Sequence, residues 1–89
     1  MSTIKRFEKR VVATAFGRAM KDARSKQKMT HELLAEKADL HETYPSLLER
    51  GLRDPGLAIV IAIGEALGIG GDVLVRKTIE LLRREHPPR

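Results

Sequence analysis

Few of the 89 residues have the type and spacing that covalent chemistry needs. Cysteine is absent, which removes disulfides, thiolate nucleophiles and Cys-based metal sites. His31, His41 and His86 are too scattered to read as a metal cluster. No Ser/His/Asp set and no Gly-rich phosphate loop occurs, and Gly70-Gly71 alone is a hinge. The expectation is no enzyme, no metal and no cofactor. What remains is charge. The net charge of +5 favours a polyanionic partner, and its distribution is uneven. Residues 1–30 carry nine basic side chains (Lys5, Arg6, Lys9, Arg10, Arg18, Lys21, Arg24, Lys26, Lys28) against Glu8 and Asp22, while residues 31–60 carry three basic against six acidic.

The elements that must position these charges are helical. Between residues 4 and 25 apolar side chains recur in steps of three and four, from Ile4, Phe7 and Val11 to Met20 and Ala23, with a break expected near Thr14–Gly17. Thr30 reads as the N-cap of a second helix ending near Asp39. A third helix is expected over about 42–50, stopped by Gly51. Asp54-Pro55-Gly56 is a turn, a fourth helix covers about 57–67, and Asp72 caps a fifth over about 73–85. Residues 57–63 form the longest apolar run and suit a buried helix, with Leu57, Val60, Ile61 and Ile63 on its inner side; they fall well short of the ~18 residues of a membrane span. No signal peptide is evident, and the default location is the cytoplasm. A chain of this length makes one domain, read as a basic helical extension (1–12), a core (13–71) and a C-terminal helix for dimerisation (72–89).

The turn around Asp39–His41 is so short that the helices it joins must cross steeply, the corner of a helix-turn-helix, whose second helix can enter a major groove. Residues strengthen the geometry. Arg24, Leu34-Ala35-Glu36, Leu48-Glu49-Arg50-Gly51 and Pro55 followed by Glu65-Ala66-Leu67-Gly68 stand in order, and the block TYPSLLERGLRDP is highly specific. On these landmarks residues 16–69 closely resemble the lambda-repressor-like (XRE) helix-turn-helix family.

The resemblance implies an all-α, five-helix domain whose third helix reads double-stranded DNA. Carried over position by position, it puts His41, Glu42, Thr43 and Leu47 toward the bases. Thr43 and Leu47 can meet a thymine methyl, and Glu42 can only accept, from cytosine N4. It assigns phosphate contacts to Thr30, His31, Tyr44, Ser46, Arg50 and Arg53, with Thr30 opening an anion-binding helix end. It also pairs Arg24 with Glu49, tying the first helix to the third.

Two departures stand out. Pro45 takes a position usually held by an inward aliphatic residue. Either the third helix starts near Glu42 and the proline costs it a hydrogen bond, the preferred reading, or the helix starts at Pro45 itself. The fourth helix is apolar on too many sides to face one core. An interface between two copies, using Ile59, Val75, Ile79 and Leu82, is the preferred explanation; the alternative is that Ile4, Phe7 and Val11 fold back over these groups. The function expected is a sequence-specific, homodimeric DNA-binding transcriptional regulator. The competing reading is a protein-interaction or antitoxin-type module that uses the same fold to hold a protein partner.

Overall fold

A computed structural model describes residues 8–86. Within them lie five helices: α1 (Lys9–Lys26), α2 (His31–Ala38), α3 (Tyr44–Glu49), α4 (Leu57–Ala66) and α5 (Gly71–Glu85). Met20, Leu34, Leu48, Ile63 and Leu74, one from each helix, are wholly buried and form the centre of the core with Phe16, Met29 and Leu67. Side chains from five helices thus meet at one point, which is why a chain this short can exclude water at all. Among the described residues no single helix is long and apolar enough to cross a membrane.

α1 runs unbroken through Thr14–Gly17, where a break was expected. Gly17 explains the misreading. It is there for packing, because a Cβ built on it would lie 2.4 Å from the Leu48 carbonyl oxygen and 2.7 Å from that of Glu49. The end of α3 therefore rests directly on the backbone of α1. Gln27, just past α1, donates from Nε2 to the Leu67 carbonyl at 2.6 Å and ties this end of the molecule to the end of α4.

α2 starts as the sequence predicts. The Thr30 hydroxyl accepts the Leu33 N–H at 3.0 Å, and Asp39 closes the helix in the left-handed region. Gly51 has φ +72° after α3, and its Cα side lies against Thr14, so the chain leaves α3 along the surface of α1. α5 begins two residues earlier than expected, behind Gly70, and Asp72 lies in its first turn rather than at its cap.

The boundaries expected at 12/13 and 71/72 do not separate packed units. α1 crosses the first, and α5 packs against both α1 and α4, contributing Leu74 and Leu82 to the buried interior. Arg18 and Glu85 pair across the α1–α5 contact. Ile4 and Phe7 lie outside the described residues; Val11 is half-buried on α1.

Candidate nucleic-acid interface

The expected length of the third helix needs correction. α3 spans six residues, with Thr43 at the N-cap, so Glu42 and Thr43 sit in the preceding turn and not on the helix. Pro45 is its second residue. The first residues of a helix have no intrahelical partner for their N–H groups, so proline forfeits nothing there. The first helical bond of α3 runs from Leu47 N–H to the Thr43 carbonyl at 3.3 Å, past the proline. The ring of Pro45 is fully buried and fills the inward position.

Behind α3 lies a polar cluster. Arg24 Nε donates to Glu49 Oε2 at 2.6 Å and Arg24 Nη2 to Oε1 at 3.0 Å, while Nη1 reaches the Met29 carbonyl at 2.7 Å. The expected pair between α1 and α3 is therefore bidentate and also braces the α1–α2 turn. Only 6% of the Glu49 side chain remains exposed. Burial pushes its carboxyl upward, but the hydrogen bonds from Arg24 and His31, with the charges behind them, prevail and hold it below the usual carboxylate range. The bond to Glu49 likewise raises the Arg24 guanidinium above its ordinary value, against the opposing effect of burial.

His31 is the third member, which the sequence reading missed. Its Nε2 stands 2.9 Å from Glu49 Oε1. An ionised carboxylate only accepts, so the ring must donate, and a neutral imidazole has just one N–H to give. The structure thus engages Nε2 of His31, the residue expected at a phosphate, with Glu49 on the inner side. The signal was its position at the first residue of α2, beside the turn that Arg24 braces.

The outward side is different. His41, Glu42 and Thr43 are exposed in the turn, Leu47 and Ser46 are half-buried on α3, and Arg50 and Arg53 are exposed just beyond it. Tyr44 lies partly buried against the core. Thr30 is exposed, with its hydroxyl already engaged as the cap of α2. Leu48 and Pro45, by contrast, are buried.

The apolar surplus lies elsewhere and partly on other residues than expected. Leu82 is only 5% exposed, buried where α5 meets α1, and Ile59 packs partly against the core. Leu57 and Ile61, expected inside, are 72% and 49% exposed. Val75 and Ile79 are exposed as predicted. A Cβ on Gly71 would lie 3.1 Å from the Ile61 Cα, so the start of α5 rests on α4 there, and Val75 follows one turn further along α5.

A helix-turn-helix family model matches residues 20–74. Control protein C.BamHI of Bacillus amyloliquefaciens is 44% identical over 55 residues, covering 61% of this chain and 68% of that protein. Among solved structures, the restriction-modification controller protein C.AhdI from Aeromonas hydrophila superposes with a TM-score of 0.67 at 27% identity, over 70% of this chain and 94% of that one. The restriction-modification controller C.Esp1396I gives 0.72 at 27% identity, over 80% and 95%. The clp gene regulator ClgR from Corynebacterium glutamicum gives 0.74 at 24% identity over 80% and 92%, a likeness of fold. With the matched residues spanning α2, the turn and α3, the chain belongs to the lambda-repressor-like (XRE) helix-turn-helix family of DNA-binding regulators.

Proposed function

We propose that the chain binds a two-fold symmetric site on double-stranded DNA as a homodimer and controls transcription, as a control protein of the C.BamHI kind. The observation that carries this reading is the cluster behind α3. Arg24, Glu49 and His31 hold the helix from its buried side, which leaves the outward face of α3 free of ion pairs. A rigid element with an uncommitted polar face is what major-groove insertion needs. Arg50 and Arg53 flank it for phosphates, with Thr30, Ser46 and Tyr44 as uncharged contacts. Leu57, Ile61, Val75 and Ile79 supply the apolar face for the second copy, with half-sites one helical turn apart, ~34 Å.

The test is a salt titration of binding to mixed-sequence duplex DNA. The logarithm of affinity falls steeply with the logarithm of salt concentration if phosphates are neutralised. Arg50→Ala and Arg53→Ala weaken binding on all sequences and each lower the slope by about one. Unchanged affinity and slope in both variants would place the docking face elsewhere.

A further inference from the structure

Thr43 is the N-cap of α3, yet its hydroxyl does not cap the helix. It turns back to His41, with Oγ1 3.0 Å from Nδ1, and the Thr43 backbone N–H donates to the same nitrogen at 3.2 Å. A ring nitrogen that accepts an N–H carries no proton. The Thr43 hydroxyl must therefore donate as well, and the neutral imidazole keeps its single proton on Nε2. Nδ1 is tied to the turn, and Nε2–H is the ring's remaining polar group. The ring itself is exposed at the leading edge of the α2–α3 corner. The two histidines of the corner thus have opposite uses: His31 spends its N–H inward on Glu49, and His41 is left with a donor to spend outward.

Resting on the DNA-binding reading above, we propose that His41 is a sequence-reading donor for guanine, and that Thr43 is a positioning residue that fixes its tautomer and does not itself read a base. Major-groove edges supply the argument. Cytosine offers only a donor there, adenine sets its N6 donor beside N7, and thymine sets a methyl beside O4. Guanine alone presents two adjacent acceptors, N7 and O6. Glu42, the next residue, is exposed and in its ionised form only accepts, which suits the N4 donor of the cytosine paired to that guanine. A donor and an acceptor on neighbouring residues match the acceptor-then-donor order across one G·C pair. Thr43 has no donor of its own to offer a base, because its hydroxyl proton is committed to His41.

The experiment begins with sites selected from random duplexes by the wild-type protein and by His41→Asn. Asparagine preserves the local turn, since its Oδ1 can accept the N–H two residues on, while its amide donor ends short of the position that Nε2 occupies. The wild type selects a G·C pair at one fixed position per half-site, and His41→Asn loses that preference. Replacing that guanine by 6-thioguanine, in which a weakly accepting sulfur stands in place of O6, weakens wild-type binding by up to roughly fivefold, the worth of one hydrogen bond, and leaves His41→Asn unaffected. Thr43→Val relaxes the preference and Thr43→Ser restores it. Retention of the G·C preference by His41→Asn, or by Thr43→Val, overturns the proposal. So does an imidazole 15N spectrum of the free protein that places the His41 proton on Nδ1. Wild-type protein that binds no duplex DNA refutes the underlying reading and this one with it. Salt-dependent binding that persists in His41→Asn with the G·C preference intact refutes only this one.

Discussion

At the α1–α3 junction, charged groups shielded from water satisfy one another inside the chain, whereas along α4 and α5 large apolar groups stay in contact with water. Arg24 meets both oxygens of Glu49, His31 takes a further bond, and Arg24 still braces the Met29 carbonyl. Leu57, Ile61, Val75 and Ile79 have no such closure. Both regions cost the chain something to keep. A buried carboxylate is a desolvation cost, repaid only while its partners remain. An apolar stripe in water forgoes burial energy. The contrast separates a part that is finished within one copy from a part that is not. The finished part fixes the orientation of α3; the open part is suited to fixing how far apart two such helices stand.

Removing the buried carboxylate attacks the finished side and should give the largest effect. Glu49→Ala strands the Arg24 guanidinium, only 14% exposed, with neither oxygen to receive it. We expect a loss of about 3–5 kcal/mol in urea or thermal unfolding, since breaking a buried pair leaves an uncompensated charge. A loss below ~0.5 kcal/mol would mean that water solvates Arg24 as well as Glu49 does. The pH dependence has a definite sign. The folded-state carboxyl of Glu49 lies below its unfolded value near 4.5. Its contribution is therefore fully present above that value and is lost as pH falls through the folded value. Glu49→Gln lacks this contribution, so the stability gap between wild type and Glu49→Gln should narrow as the pH is lowered from 6 through 4. A constant gap would remove the ionised form from the account.

A charge placed on the open side should have a smaller effect on the fold and a visible effect on association. Ile61 is half exposed, so Ile61→Glu leaves the monomer's stability within about 0.5 kcal/mol, as surface substitutions usually do. In a two-fold interface the change is made twice, on surfaces that face each other. Losing apolar burial and adding an unpaired charge should weaken dimerisation by roughly 2 kcal/mol or more, about thirtyfold. Sedimentation equilibrium over the micromolar range reads this directly. Equal association constants for wild type and variant would break the comparison, because the α4–α5 stripe would then not be where copies meet.

Much of this contrast was legible in the sequence, and the misses have physical reasons. Thr30 as N-cap, Gly51 as a helix stop and Arg24 with Glu49 as a pair follow from local chemistry or from the family pattern, and neither depends on fine geometry. Ile61 and Leu57 were placed inside because apolar residues in a nearly all-apolar helix carry no phase information: LAIVIAI reads the same from every side. Leu82 was placed outside because nothing local shows that α5 lies along α1. The bond from His31 to Glu49 is invisible to spacing rules, because the partner lies eighteen residues away. Gly17 was taken for a break when its missing side chain lets α3 approach, a distinction that only the neighbouring helix can make.

The smallest effect is expected at Pro45, and it tests whether the reading helix is as complete as the comparison holds. Had α3 begun near Glu42, proline would interrupt it, and Pro45→Ile would restore a hydrogen bond and raise stability by on the order of 1 kcal/mol. The observed start at Tyr44 removes that gain. The second residue of a helix has no intrahelical acceptor for its N–H, and the ring's fixed φ already suits the position. Three effects then act on the variant. The unfolded chain gains freedom, worth about 0.4–1 kcal/mol against folding. Isoleucine is larger than the ring it replaces, in a site less than 2% exposed, so α3 must shift or the side chain must strain. Against these stands the added apolar burial, about 0.8 kcal/mol for each extra methylene. The terms nearly cancel, with strain and chain entropy ahead, and the melting temperature of Pro45→Ile should fall slightly, by the equivalent of about 1 kcal/mol or less. Non-specific DNA affinity should hold, because Arg50 and Arg53 lie beyond the far end of α3. A melting temperature that rises clearly would show that α3 has helix to gain at its start, and that the turn holding His41, Glu42 and Thr43 is less settled than the buried cluster behind it.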